Sequence, residues 1–417
     1  MKHAYRGWLP ALLLMLLMLG LTFQAGAAGE EAENITDACT FKLCATQRRA
    51  STMTDGKYTS YWESRKMRNP WISIHSETPM YGLYLCFRQM PSAFEIQTLT
   101  IQGEGEEAEA VWEKLMPGDT RFQHTCYELP GVTDIRIMSL QESSHKMGFN
   151  EVFVFGEGTM PGWVQRWEET EEKADILFFS AHPDDELIFF GGAIPTYAAE
   201  MKKRVVVAYL SWSNTTRRSE ALNGLWSMGV THYPEFGGFS DSYSKTAKEA
   251  YKKAGKDKVL AWVTEMYRKH QPEVVVTHDI DGEYGHGQHK MMADAAIQGY
   301  SLAAEADQYP DSAAEYGLWQ VKKLYIHLYG DAELQTRFDW NVPLESLGGR
   351  TGLQAAADAY ALHKTQESAS VKINKKWHRL SVEETGSVWP NTAFGLYATQ
   401  VGPDESHTDF LEHIDLE

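Results

Sequence analysis

Two hydrophobic rhythms divide the chain. Between about residues 34 and 158, short runs alternate apolar and polar positions or gather aromatic ones: Trp71-Ile72-Ser73-Ile74, Gly82-Leu83-Tyr84-Leu85, Phe94 to Ile101, Asp134-Ile135-Arg136-Ile137 and Glu151 to Phe155. Turn-rich pieces separate these runs, the pattern of an all-β sandwich. From Lys173 onward strands and helices alternate. The pattern predicts strands over Ala174 to Ser180, Arg204 to Trp212, Glu273 to Thr277 and Val321 to Leu328. It predicts helices over Glu186 to Lys203, Arg217 to Met228, Lys245 to His270 and Gln288 to Ala306. Such alternation implies an α/β domain, a mostly parallel sheet with helices on both faces.

The breaks between these regions predict five parts. Residues 1–28 read as a secretory signal peptide, with Lys2 and Arg6 ahead of the apolar run Leu9 to Leu21 and Ala25-Gly26-Ala27 as a small-residue cleavage site. The sandwich follows over 29–158. Residues 159–172 form a linker that opens on Thr159-Met160-Pro161-Gly162, with Trp163 and Trp167 available to pack the domains together. The α/β domain spans 173–330. Residues 331–417 form a less periodic extension, in which a helix from Gln354 to His363 is expected to pack on the α/β domain.

The chemistry gathers at two predicted strand ends. Ala181-His182-Pro183-Asp184-Asp185-Glu186 follows the apolar run Ile176 to Phe179. Burying a His and adjacent carboxylates where a strand gives way to a helix is costly unless a metal or a reaction compensates. The second cluster, His278-Asp279 and Gly282-Glu283-Tyr284-Gly285-His286-Gly287-Gln288-His289, follows Val274 to Thr277. His182 and Asp185 are three apart, and so are His286 and His289. Two His and one Asp form a normal ligand set for a catalytic zinc with an open fourth position, and Asp184 is then free for proton work.

Together these segments resemble the PIG-L/LmbE family of zinc-dependent N-deacetylases, over about residues 172 to 330. The resemblance implies a Rossmann-like, LmbE-like domain. It also implies that zinc, or another divalent metal, binds His182, Asp185 and His289, with Asp184 as general base and His286 assisting at the oxyanion or leaving group. Gln288 departs from the Asp that many members carry, which is expected to orient or charge the preceding His. An Arg near the substrate is expected at Arg217 or Arg218, and Tyr284 is a candidate for the pocket lining. Glu186, His278 and Asp279 are expected around the ligands, whereas His327 and His363 have a weaker claim. Thr54-Asp55-Gly56-Lys57, Tyr61-Trp62, Trp71-Ile72 and Asn150 to Gly156 resemble the discoidin (F5/8 type C) or galactose-binding-like sandwich. That fold often binds glycans through loop aromatics and sometimes holds a structural calcium, and a bare sandwich that positions the enzyme is the equal alternative.

Composition narrows the picture. The 417 residues carry a formal charge of −18, a poor match for nucleic acid or anionic membrane surfaces. No stable membrane span is expected once the leader is removed, and the protein is expected to be secreted or held in the cell envelope. The four cysteines, Cys39, Cys44, Cys86 and Cys126, all lie in the first third, and pairs Cys39–Cys44 and Cys86–Cys126 are expected. No dinucleotide fingerprint, phosphate loop, nucleophile elbow or His-Glu-x-x-His is present. The best reading is an exported N-deacetylase acting on an amino sugar or glycan of N-acetylglucosamine type. A glycan-binding protein with an inactive deacetylase-like domain and a metal amidohydrolase for a non-sugar amide are the alternatives. Oligomeric state is open.

Overall fold

A computed structural model describes residues 29–44, 49–103, 108–170, 173–212, 214–373 and 375–416. The expected leader, 1–28, lies outside them. Among the described residues no helix is long and apolar enough to cross a membrane.

The N-terminal domain is antiparallel β, consistent with a sandwich. Its strands are β1 (Thr40–Leu43), β2 (Trp62–Glu63), β3 (Trp71–Phe87), β4 (Phe94–Gln102), β5 (Glu109–Pro117), β6 (His124–Ser139) and β7 (Gly148–Phe155). The runs around Trp71 and Gly82, expected as two strands, are one long strand. β3 pairs with β1 through His75 and with β7 from Gly82, and register shifts between His75 and Gly82 bend it from one half to the other. Ile72, Ile74, Leu83, Leu85, Ile135, Ile137, Val152 and Val154 close one core. Trp62 stacks on Phe149 inside it, so its role is packing.

The expected disulfides are not formed, and all four cysteines are free thiols. The Cys44 sulfur accepts from the Trp71 amide, while the Cys39 thiol donates to the Ile35 carbonyl. The β3–β6 register sets Cys86 opposite His124, and Cys126 opposite Tyr84. At one end of this domain Lys57 N–H donates both to Glu151 (2.8 Å) and to Asp55 (3.0 Å). Burial, and next to it Asp55, push Glu151 up to about 8.

The second domain is mixed α/β. Its strands are β8 (Ile176–Ser180), β9 (Val205–Ser211), β10 (Glu235–Phe239), β11 (Val274–Thr277), β12 (Lys323–His327), β13 (Thr336–Arg337), β14 (Ser370–Ile373), β15 (Lys376–Arg379) and β16 (Ala393–Thr399). Its helices are α1 (Asp185–Phe189), α2 (Thr215–Ser227), α3 (Ala247–Ala254), α4 (Lys256–His270), α5 (Gly287–Leu302), α6 (Pro310–Tyr316), α7 (Gly352–Ala361) and α8 (Val382–Gly386). The main sheet runs β10-β9-β8-β11-β12-β16-β13. The first five strands are parallel, and β16 and β13 are antiparallel to their neighbours. Two strands of the tail beyond residue 330 therefore belong to this sheet, beside the helix α7 that packs on it.

Alternation along β8 explains the layers. Ile176 and Phe178 pack with residues of α1, α2 and α7, whereas Leu177 and Phe179 pack with residues of α3, α4 and α5. The chain leaves β8 for β9 on one side and returns to β11 on the other. The crevice at the carboxyl ends of β8 and β11 is thus a topological switch point, where open sheets of this kind bind ligands.

Two expected helices are interrupted. The segment predicted as one helix from Glu186 to Lys203 stops at Phe189 and resumes as a π-turn at Thr196–Glu200. Gly192 lies so close to Asn391 that a Cβ would meet its carbonyl oxygen at 2.6 Å, and Pro195 lacks an N–H to continue a ladder. The helix predicted from Lys245 to His270 breaks at Gly255, whose φ of 88° suits glycine.

The two domains meet on α2. Gln123 donates to Ser219 (3.1 Å), His124 bonds the same hydroxyl (3.3 Å), and Gln165 donates to Asn223 (2.6 Å). Trp163 packs on Tyr84 and Phe153, and Trp167 on Trp226 and Tyr233. At the start of β10 Glu235 bonds Lys269 (2.6 Å) and His270 (3.1 Å). Burial opposes ionisation of Glu235, but the bonds to His270 and Lys269 win and hold it at about 2 against an ordinary value of 4.5. Its stabilisation is full above about pH 4.5 and is lost as pH falls through about 2. Glu235→Gln is expected to lower unfolding free energy at pH 7 by on the order of 3 kcal/mol and to flatten the acid limb of stability, read by urea titration across pH.

Candidate metal centre

The site is assembled by two loops, one after β8 and one after β11. In the first, Asp184 stands at φ 126°, a strained conformation for a non-glycine residue. The Glu186 carboxylate accepts from the Asp184 amide (2.8 Å) and holds that turn. Burial pushes Glu186 up to about 8. In the second loop, Gly282 has φ 67°, and a Cβ there would meet the His286 carbonyl at 2.6 Å. Tyr284 also adopts a left-handed φ of 45°. These turns set His286 at the start of α5, with His289 on its first turn.

His182, Asp185 and His289 converge. Asp185 Oδ2 lies 2.9 Å from His182 Nδ1 and 3.2 Å from His289 Nε2. Ligand atoms about 2.0–2.2 Å from one zinc ion sit roughly 3.3 Å apart at a tetrahedral site, so these separations fit a shared metal. Among the described residues, the groups whose ligand atoms all lie within 4.8 Å of one another are His182, His286 and His289, and Asp185, His278 and His289; His182 and Asp185 meet through their own 2.9 Å contact and share His289 between the two groups. His278 is committed elsewhere, because its Nε2 accepts from the Ala181 amide at 2.9 Å.

Hydrogen bonds select the free nitrogen on each ligand. The Ser242 amide donates to Gln288 Oε1 (3.0 Å) and Gln288 Nε2 donates to the Ser240 carbonyl, which fixes the orientation of the amide. Gln288 Oε1 therefore accepts from His182 Nε2 (3.0 Å), leaving Nδ1 beside Asp185 as a lone pair. This corrects the sequence expectation: residue 288 orients His182, a neighbour across the site, and not the preceding His286. On the other ligand, Glu283 accepts from His289 Nδ1 at 2.7 Å and leaves Nε2 free.

Glu283 also accepts from His278 Nδ1 (2.9 Å) and His327 Nδ1 (2.6 Å), so one buried carboxylate braces three imidazoles. Burial alone would raise its pKa, but these imidazoles, His278 foremost, hold it well below the usual range. Asp185 and then Glu283 outweigh burial and raise the pKa of His289, so Nε2 carries a proton that a bound metal would displace. His278 and His327 thus belong to the support of the site. Asp279 caps its own turn, accepting from the Asp281 amide. His363 is buried 4.0 Å from Glu186 and does not line the cavity.

Asp184 lines the same cavity beside His182 and Asp185 but belongs to neither candidate ligand group. Arg217 donates to Asp184 Oδ1 (2.9 Å), to the Pro183 carbonyl and to Asp241 Oδ2 (3.1 Å). Burial lifts Asp184 to about 7, with Arg217 opposing the rise. The side chain of Asn214 caps α2 by accepting from the Arg217 amide, which sets the guanidinium over the site. Arg218 points elsewhere, over the rings of Phe236 and Trp212. Arg217→Ala is therefore expected to lower catalytic efficiency by about 100-fold or more, and Arg218→Ala to leave it within a few-fold, in steady-state kinetics.

His286 is pushed down to about 3 by burial and then by His289 and His182, so its ring is neutral. Tyr284 is half-buried, with its hydroxyl 3.4 Å from His289 Nε2. His182, Asp184, Asp185, Arg217, Tyr284 and His286 line one cavity of about 460 Å³, a size typical of ligand sites. Sequence reasoning missed Asp241 and Tyr243 in the loop after β10 and the β14–β15 hairpin, all of which complete that cavity. A polar loop beyond a parallel strand was the available signal for Asp241.

Residues 177–300 match the family described as PIG-L: GlcNAc-PI de-N-acetylase. The second domain therefore carries the stretch that matches this family. The chain is 28% identical over 193 residues to 1D-myo-inositol 2-acetamido-2-deoxy-alpha-D-glucopyranoside deacetylase 1 of Frankia casuarinae, covering 39% of this chain and 62% of that one. It thus spans under two thirds of that relative's length. It is similar to N,N'-diacetylchitobiose deacetylase from Pyrococcus horikoshii at 18% identity and TM-score 0.36, over 46% of this chain and 71% of that one. The family 32 CBM from C. perfringens NanJ is similar at 13% identity and TM-score 0.23, over 28% of this chain and 94% of that one. At these scores neither structural likeness bears on function.

Proposed function

We propose that this protein is a metal-dependent N-deacetylase that hydrolyses the acetamide of an N-acetylglucosamine-type sugar or glycan. The observation that carries the reading is the division of labour between two adjacent carboxylates. Asp185 closes a three-residue donor set with His182 and His289, while Asp184 is buried nearby outside that set, held by Arg217. The imidazole and carboxylate donors suit zinc, and a zinc ion bound there supplies Lewis acidity to the acetamide carbonyl and to water.

The remaining steps belong to the chain. Asp184 takes the proton from the attacking water and delivers it to the departing amine, because it is the carboxylate not committed to the donor set. Arg217 fixes that carboxylate in place. Tyr284 and the neutral His286 stand on the cavity wall as hydrogen-bond donors to the oxygen on which negative charge develops. Glu283 and Gln288 keep the two ligand imidazoles in the tautomers described above.

The relatives' substrates support an amino sugar over other amides. The leader-like start supports export to the cell envelope or beyond. For the N-terminal domain the reading extends to a structural calcium at the Asp55–Glu151 pair, supported by an exposed carboxylate, Asp55, and a buried one, Glu151, that both accept from the Lys57 amide. Calcium is expected to raise the melting temperature of the wild type and not of Glu151→Gln. The enzymatic reading is tested by acetate release from N-acetylglucosamine, its oligomers and N-acetylated amino acids. Release from the sugars supports it. Release from the amino acids alone would reassign the substrate, and release from none would favour a binding protein.

A further inference from the structure

The catalytic cavity is built from two sources. One wall carries the reacting groups. The other carries Ser370, Val371, Lys372, Trp377 and Leu380 from the β14–β15 hairpin and its flank, beyond the residues that match the PIG-L family. In β14, Val371 and Ile373 are buried and anchor the hairpin, while Trp377 on β15 pairs in register with Lys372. Trp377 is 70% exposed, with the Lys372 ammonium 5.9 Å from its ring centroid. Tyr243, in the loop after β10, is 65% exposed and lies against His286 at 5.5 Å between ring centroids. Among the described residues these are the two most exposed aromatic side chains, and both line this one cavity.

Holding a large apolar ring in water has no stabilising effect on a fold, and such rings beside a cleft mark where a ligand is covered. The apolar face of a pyranose ring fits a flat aromatic ring, while its hydroxyls remain available to water and to side chains such as Lys372. We propose that the substrate extends beyond the reacting N-acetyl sugar, as an oligosaccharide whose neighbouring sugar units stack on Trp377 and Tyr243. This rests on the deacetylase reading and narrows it: the hairpin selects chain length, and the preferred substrate is a glycan and not a monosaccharide.

The test compares N-acetylglucosamine with its β-1,4-linked oligomers of two to five units, for wild type and Trp377→Ala. In wild type, kcat/KM is expected to rise by about tenfold or more from the monomer to the longer oligomers, mainly through KM. Trp377→Ala is expected to lose most of that ratio, and Tyr243→Ala part of it. A binding arm is independent of turnover: the tetramer is titrated into Asp184→Asn, with and without Trp377→Ala, by calorimetry. Tetramer binding weakened about tenfold by Trp377→Ala supports the extended site even if no acetate is released, and then only the reaction assignment fails. Equal kcat/KM across lengths, a preference for an apolar aglycone over added sugars, or tetramer binding indifferent to Trp377 would overturn the proposal.

Discussion

Asp184→Asn is expected to lower kcat by roughly two to four orders of magnitude while the protein keeps its full complement of metal. Asparagine is close in shape to aspartate and tolerates the positive φ of this position better than most residues. Its carbonyl can still accept from Arg217, so the loop, the cavity and the His182–Asp185–His289 cluster should persist. What is lost is a group that can take a proton from water. The effect should therefore fall on kcat and leave KM nearly unchanged, with metal content measured on the same preparation. Loss of the metal in this variant would mean that base and ligand have been exchanged between Asp184 and Asp185.

Glu283→Ala is expected to be the most damaging change outside the donor set itself. Its carboxylate accepts from His278, His289 and His327, all buried, so removal strands three ring donors at once. Breaking buried charged hydrogen bonds of this kind typically costs about 3–5 kcal/mol. The tautomer of His289 is also released, which should weaken metal binding by about 10–100-fold. Chemical denaturation and a competitive chelator titration measure the two effects separately. Glu283→Gln, which can still accept one or two of these bonds, is expected to fall between wild type and Glu283→Ala in both. If Glu283→Ala bound metal as tightly as wild type, the carboxylate would have no part in orienting His289.

How much of this was legible in the chain depends on how local the information is. Ile176 to Phe179 and Val274 to Thr277 are uninterrupted buried runs, so the parallel strands were readable to within a few residues, and with them the loops that carry His182 and His289. The segment after Glu186 looked like one helix because Leu187 to Phe190 and Tyr197 to Ala199 are apolar. The interruption comes from Gly192 packing against Asn391, a contact two hundred residues away. β5 was missed because most of its positions face solvent at the sheet edge and show no alternation. β16 reads as a short aromatic run, and nothing in it announces antiparallel pairing with β12.

The same limit applies within the site. Which imidazole Gln288 meets depends on how the β8 and β11 loops face each other, and no spacing along the chain reveals that. Choosing Arg217 over Arg218 needed only the rotation of α2, set by the Asn214 cap and by the docking of Ser219 and Asn223 on the N-terminal domain. Asp241 and Trp377 reach the cavity from a loop and a hairpin without periodicity, and only the folded chain places them on its wall.

The most direct test of the central claim is acetate release by the purified protein after stripping with a chelator and refilling with zinc. The account predicts about one tightly bound zinc per chain, no release from N-acetylglucosamine oligomers when stripped, and recovery on refilling in wild type but not in Asp184→Asn. Release that persists in the stripped protein, or a chain that binds no metal at the His182–Asp185–His289 site, would contradict it.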